Sequence, residues 1–144
     1  MFIGEYHYTV DEKGRLAVPT KYRVKLSKGA VVTRGLDRCL FVYPIESWQE
    51  LAARLAALPL SKSNTRSFAR FLLAGAMDVE LDKQGRIVIP EYLRSFAGLQ
   101  RSVVVAGLYN RLEVWDAEAW EHYRANAERG SAEIAEALGN ELGV

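Results

Sequence analysis

Two short stretches of the chain alternate apolar and polar residues, which is typical of half-buried β-strands. They are Glu5–Val10 and Met77–Leu81. Each is followed by an Asp-x-x-Gly-Arg segment and then by an apolar run, Leu16–Val18 or Ile87–Ile89, that a proline ends. Asp and Gly favour tight turns, and proline lacks the amide hydrogen that a strand ladder needs. The pattern therefore predicts, twice, a strand, a tight turn and a returning strand.

More elements are predicted after each proline. One or two helical turns come first, and two strands joined by a glycine-containing turn then close each unit. These strands are Val31–Arg34 and Cys39–Tyr43 in the first unit, and Val103–Ala106 and Leu112–Trp115 in the second. Apolar residues at helical spacing predict a helix over residues 46–58, which Pro59 ends. Asp116 is the expected N-cap of a second helix.

The two units are copies of one sequence. Residues 11–23 read DEKGRLAVPTKYR, and residues 82–94 read DKQGRIVIPEYLR, an offset of 71. Farther along, residues 35–48 match residues 107–120 at an offset of 72. Two matching blocks in the same order indicate an internal duplication.

The duplication sets the expected architecture. A small β unit cannot bury both faces of its sheet alone, but two copies packed about a pseudo-twofold axis can. We therefore predict an α+β, β-rich fold in which both halves form one barrel with helices outside. The expected division is 1–58 for unit 1, 59–74 for a connecting helix or linker, 75–128 for unit 2, and 129–144 for an acidic tail that is helical or frayed. The alternative is two independent domains joined by a linker.

Charge is divided unevenly between the copies. The 144 residues carry a net charge of +1, which by itself disfavours a strongly basic nucleic-acid binder. Residues 1–72 hold 12 Lys/Arg and 6 Asp/Glu, a net of +6, and residues 73–144 hold 7 and 12, a net of −5. From Lys13 to Arg34 there are seven basic residues and no acidic one. Such asymmetry points to contact with nucleic acid or membrane.

Arg15, and less strongly Arg86, are candidates for reading DNA. An arginine on a tight hairpin projects from a rigid base, and a β-ribbon fits the major groove, where arginine recognises guanine. A purely structural alternative is an ion pair between Asp11 and Arg15 across the turn, which stabilises an exposed turn by about 0–1 kcal/mol.

Other function classes find little support. The single cysteine, Cys39, excludes a disulfide within the chain and a thiolate zinc site, and we expect it to be buried. His7 and His122 have no metal-binding spacing, so we expect no enzyme activity, metal, cofactor or small-molecule substrate. Neither a signal peptide nor a membrane-length apolar run is present, which favours the cytoplasm. A non-catalytic assembly protein and an antitoxin-like binder remain as alternatives.

The repeated motifs and their flanks resemble the MraZ family. The resemblance rests on MFIGEYHYTVDEKGRLAVPTKYR, RFLLAGAMDVELDKQGRIVIPEYLRSFAGL and LYNRLEVWD, and it extends from Met1 to about Trp120. It implies two SpoVT-AbrB units of the AbrB/MazE swapped-hairpin type. It also implies a bacterial, nucleoid-associated DNA-binding regulator that forms closed rings and binds direct repeats upstream of its own division and cell-wall operon.

The resemblance assigns DNA contact to the Asp-x-x-Gly-Arg region of each copy. Position 13 is Lys where the matching position 84 is Gln, so the two turns need not act equally. Two basic residues that follow the first turn join the set. The candidate DNA-binding residues are Asp11, Lys13, Gly14, Arg15, Lys21, Arg23, Asp82, Gly85 and Arg86.

Overall fold

The computed structural model describes residues 1–143 and confirms an α+β fold whose strands pair antiparallel. One sheet has six strands in the order β1-β7-β8-β4-β3-β5, and β2 and β6 form a separate two-stranded ribbon. The strands are β1 (Phe2–Thr9), β2 (Arg15–Ala17), β3 (Ala30–Arg34), β4 (Leu40–Pro44), β5 (Met77–Val79), β6 (Arg86–Val88), β7 (Ser102–Tyr109) and β8 (Leu112–Asp116).

The two copies exchange strands rather than folding separately. Strand β1 of the first copy pairs with β7 of the second, β3 pairs with β5, and β2 pairs with β6. When each strand of the large sheet is replaced by its counterpart in the other copy, the result is the same strand order read from the opposite edge. Independent domains joined by a linker are therefore excluded. Strand β1 begins at Phe2, earlier than predicted, because its first residues pair with the end of β7.

The predicted barrel is not found. Within residues 1–143, β1 and β5 are the two edges of the large sheet and do not pair with each other. The chain leaves each edge strand for the turn that leads to β2 or β6, and those strands pair with one another instead of closing the sheet. A single bridge between Val10 and Leu16 connects the end of β1 to the ribbon.

The main core lies between the ribbon and one face of the large sheet. Leu16 and Ile87, the central pair of the ribbon, are almost fully buried in it. Leu26 and Leu93, which follow the two prolines, are also buried there and come from matching parts of the two copies. A second apolar cluster covers the opposite face of the sheet around Phe41, with the helices packed on it.

Residues 1–143 contain five helices: α1 (Ile45–Ala56), α2 (Ser63–Leu73), α3 (Glu91–Phe96), α4 (Ala117–Arg129) and α5 (Ser131–Leu142). The segment after the first proline is shorter, a 3₁₀ turn at Thr20–Tyr22. Asp116 is the N-cap of α4, as predicted, because its carboxylate accepts a hydrogen bond from the amide of Ala119 at 3.3 Å. No helix within the described residues has the length and hydrophobicity that crossing a membrane requires.

Candidate nucleic-acid interface

The first Asp-x-x-Gly-Arg turn is closed by its aspartate. One carboxylate oxygen of Asp11 accepts hydrogen bonds from the amides of Lys13 (3.0 Å) and Arg15 (2.9 Å). The other oxygen accepts from Nε of Arg15 at 2.5 Å. The amide of Gly14 donates to the Asp11 carbonyl at 3.0 Å. The predicted ion pair across the turn is therefore present, and the aspartate also organises the backbone.

The second turn repeats this arrangement. Asp82 accepts from the amides of Gln84 and Arg86, both at 2.9 Å, and from Nε of Arg86 at 2.8 Å. Hydrogen bonds to the arginine amide, and then to the arginine side chain, hold the pKa of Asp82 below its ordinary value, and the pKa of Asp11 is lowered by the matching groups. Both turns are thus stabilised by an ionised carboxylate at neutral pH.

The turn glycines permit a backbone conformation that other residues rarely adopt. Gly14 has φ +83° and Gly85 has φ +75°, both in the left-handed region. A Cβ at Gly14 would also contact the carbonyl of Ile89 and lie 2.9 Å from Nε of Arg94. A Cβ at Gly85 would lie 2.6 Å from Cδ of Arg23. Each glycine therefore faces an arginine of the other copy.

These cross-contacts bind each turn to the other copy. The amide of Ile89 donates to the Gly14 carbonyl at 2.8 Å, and Nε of Arg94 donates to the Ile89 carbonyl at 2.9 Å. The mirror contacts use three counterpart residues: the amide of Val18 donates to the Gly85 carbonyl at 2.9 Å, and Nε of Arg23 donates to the Val18 carbonyl at 3.1 Å. The two turns consequently form one connected unit.

The ribbon presents both arginines on one face. Leu16 and Ile87 are directed into the core, so the flanking residues of each strand point outward. Arg15 lies opposite Val88, and Arg86 lies opposite Ala17. Aspartate occupies Nε of each arginine, and within residues 1–143 the terminal Nη atoms of both have no hydrogen-bond acceptor. Both terminal nitrogens of each arginine, which together carry four N–H donors, thus remain for a ligand.

The other basic candidates occupy different environments. Lys13 is exposed beside the first turn. Lys21 is exposed, with its ammonium 5.5 Å from the ring centre of Tyr6 and 5.1 Å from that of Tyr22, and the neighbouring Tyr6 hydroxyl raises its pKa. Arg23 is half-buried against the Gly85 turn, as described above.

The basic stretch from Lys13 to Arg34 is not one continuous surface. Arg34 turns toward α2, where Nε donates to the carbonyl of Phe71 at 2.9 Å and the guanidinium lies 4.8 Å from the ring centre. Lys28 forms a 3.5 Å ion pair with Glu46, and both side chains are exposed. Only the part of the stretch around the turn lies beside the exposed ribbon face.

One supporting residue escaped the sequence prediction. Arg94 lies against the first turn as Arg23 lies against the second, although only Arg23 was a candidate. Its signal was the match between positions 23 and 94 in the repeat. That match did not reveal that each arginine serves the turn of the other copy.

The residues considered for catalysis lie apart from the turns. Cys39 is buried, as predicted, and burial raises the pKa of its thiol. His7 and His122 are exposed. No group of three or more potential metal ligands occurs within residues 1–143.

A protein-family comparison matches this duplicated chain twice. The family described as "MraZ protein, putative antitoxin-like" covers residues 1–71 and 72–140. The chain belongs to the MraZ family. A protein of Natranaerobius thermophilus named "Transcriptional regulator MraZ" is 49% identical over 138 residues, which are 96% of each chain. A Halothermothrix orenii protein of the same name is 48% identical over 144 residues, the whole of both chains.

Membership of the MraZ family agrees with the resemblance found in the sequence. The two matched segments divide the chain near residue 71, the offset between the two turn motifs. The match to the Halothermothrix orenii relative spans the whole chain, so both turn segments lie within it.

Proposed function

We propose that this protein is a transcription regulator that binds double-stranded DNA in a sequence-specific manner through the outer face of the β2–β6 ribbon. The observation that carries the proposal is the pair of arginines, Arg15 and Arg86, held on one exposed face of a rigid two-stranded ribbon. A β-ribbon fits the major groove, and an arginine with two parallel donors recognises O6 and N7 of guanine. The names of the relatives support the same function.

Aspartate orients the arginines in this proposal. The carboxylate of Asp11 or Asp82 holds Nε, which reduces the side-chain freedom that DNA binding must otherwise remove. Lys13 and Lys21 contribute attraction to phosphates near the first turn, whereas Arg23 supports the second turn from behind. Because the second turn has Gln84 in place of lysine, it contributes less affinity.

The same proposal extends to organisation and target. The exchanged strands support two swapped-hairpin units of the AbrB/MazE type, with 1–58 and 75–128 as units, 59–74 as the connection and 129–144 as the tail. Opposite net charges of the two halves support head-to-tail assembly into a closed ring. Several weak ribbons on one ring then bind direct repeats upstream of the division and cell-wall operon, in the nucleoid, with high avidity.

Binding measured over a series of salt concentrations tests the proposal. Wild type should bind operator repeats with a steep salt dependence, and Arg15→Ala should lose about 10- to 100-fold in affinity and some specificity, because a base-reading arginine contributes about 1–3 kcal/mol. Arg86→Ala should lose less. Arg129→Ala, an exposed arginine on α4, is the matched control.

A double variant separates lost recognition from new repulsion. Removing Arg15 leaves the Asp11 carboxylate without its ion-pair partner, and that charge would repel phosphates. Asp11→Asn with Arg15→Ala removes both charges and should still bind weakly. Wild-type affinity of Arg15→Ala for the repeats would refute DNA recognition by the ribbon. Absence of any sequence preference in wild type would favour the assembly protein without a nucleic-acid role.

A further inference from the structure

Helix α5 has an apolar stripe that nothing within residues 1–143 covers. Ile134, Leu138 and Leu142 recur every four residues, which places them on one side of the helix, and they are 51%, 40% and 62% exposed. No residue of α5 is buried, and its neighbour in the chain, α4, has no buried residue either. An apolar side of this length on an otherwise exposed helix is typical of a contact surface.

The counterpart of α5 in the first copy is packed. Helix α2 follows the first unit as α5 follows the second, and it lies on β3 with Leu72 buried. The hydroxyl of Thr33 donates to the Leu72 carbonyl at 2.6 Å, and Arg34 donates to the carbonyls of Phe71 and Arg70. Of the two matching helices, α2 is therefore packed on the sheet and α5 is exposed.

The charge of α5 indicates the kind of surface that it would bind. The helix contains Glu133, Glu136 and Glu141 and no basic residue. None of these glutamates forms an ion pair within residues 1–143. An acidic helix is repelled by DNA phosphates, so its partner must be a basic protein surface with exposed apolar residues.

This chain has such a surface, here named the basic hairpin and defined as residues 54–70 at the junction of α1 and α2. No acidic residue occurs between Glu50 and Asp78. Three exposed apolar residues lie in the hairpin: Leu58 (47%), Leu60 (74%) and Phe68 (40%). Its basic residues, which form no ion pair within the described part of the chain, are Arg54, Lys62, Arg66 and Arg70.

We propose that α5 of one molecule docks on the basic hairpin of a second molecule of this protein. The glutamates of α5 would lie against the arginines, and its apolar stripe would lie against the exposed leucines and phenylalanine. Such a contact uses different surfaces on the two molecules. One molecule of the pair therefore keeps a free hairpin, and the other keeps a free α5. The chain of contacts continues head to tail and forms a ring where the rotation closes. This inference rests on the assembly proposed above and names the surfaces that form it.

Charge reversal in two separate variants tests the docking. Variant A carries Glu133→Lys and Glu136→Lys, and variant B carries Arg66→Glu and Arg70→Glu. Each alone places like charges at every contact and should elute as a smaller species than wild type at micromolar concentration. When A and B are mixed, the basic α5 of A meets the acidic hairpin of B, and the acidic α5 of B meets the basic hairpin of A. Assembly should therefore return in the mixture.

The control changes charge elsewhere by the same amount. Glu80→Lys with Glu91→Lys replaces two exposed glutamates outside both surfaces and should assemble like wild type. Assembly of A or B alone, or failure of the mixture to reassemble, would overturn the proposal. A wild-type protein that is monomeric would also overturn the proposal. So would docking of α5 on the hairpin of its own chain, because charge reversal would then leave the mass of the species in solution unchanged.

The outcome is independent of DNA recognition. Variants A and B keep the ribbon intact, so each should bind a duplex with a single operator repeat within about threefold of wild type, a difference below 1 kcal/mol. If wild type does not bind a single repeat, the DNA-binding proposal is refuted, but the assembly measured in the mixture of A and B still tests the docking. Dispersed variants that bind a single repeat normally would support both proposals.

Discussion

Replacing Gly14 by alanine should destabilise the protein more than the same change at Gly85 or Gly98. At φ +83°, a residue with a Cβ costs about 1–2 kcal/mol. The added Cβ would also contact the Ile89 carbonyl and lie 2.9 Å from Nε of Arg94. Relief requires movement that weakens two hydrogen bonds, Ile89 N to Gly14 O and Arg94 Nε to Ile89 O, at about 1 kcal/mol each. The expected loss is therefore about 3–4 kcal/mol.

Two matched glycines separate backbone strain from crowding. Gly98 has φ +61°, and a Cβ added there would meet no atom within 4 Å, so Gly98→Ala should cost only the backbone term, about 1–2 kcal/mol. Gly85 has φ +75°, and its nearest obstacle is the flexible side chain of Arg23, so Gly85→Ala should fall between the other two.

Urea denaturation of the three variants measures this order. The free energy of unfolding should fall in the sequence Gly98→Ala, Gly85→Ala, Gly14→Ala, with an unchanged dependence on urea concentration. Equal losses for Gly14→Ala and Gly98→Ala would show that the contact with the other copy contributes nothing, and the reasoning would be refuted.

Three further changes test other parts of the structure. Arg94→Ala should lower DNA affinity without changing the salt slope if Arg94 acts by supporting the turn, since a phosphate-binding residue would change that slope, so salt-dependent binding curves distinguish the roles. Asp82→Asn should flatten the acid side of the stability profile. The lowered pKa of Asp82 gives stability that is present above the ordinary value of about 3.9 and lost as pH falls through the native pKa, which unfolding between neutral and acid pH would show. Arg111→Met should cost about 1–3 kcal/mol in thermal or urea unfolding, because the buried Glu113 carboxylate loses two hydrogen bonds, at 3.1 and 2.8 Å.

The local elements were predictable because each depends on neighbouring residues. Alternation located the strands, proline ended them, and Asp116 fixed the start of α4 through its own carboxylate. The predicted helix over 46–58 ends in the structure at Ala56, just before Pro59. The turn motif likewise contains its own closing groups, Asp11 and the amides that follow it.

The contacts between copies were not predictable in detail. Periodicity indicates which face of a strand is buried but not which strand is its neighbour. The edges of the large sheet stay open because β2 and β6 pair with each other, although about seventy residues separate them in the sequence. For the same reason Arg23 was predicted among the candidate DNA-binding residues and Arg94 was not, although both support a turn of the opposite copy.

Repetition of the motif argues for DNA binding only through its arginine. The aspartate and glycine are explained by the turn, since Asp11 accepts backbone amides and Gly14 adopts φ +83°. The amide at position 15 would donate to that carboxylate with any side chain attached. The half-exposed ion pair itself contributes little to stability, because solvent screens it. Within residues 1–143 the terminal donors of the guanidinium form no hydrogen bond in either copy, so the arginine exceeds what turn stability requires. The proposed recognition of DNA would account for this excess.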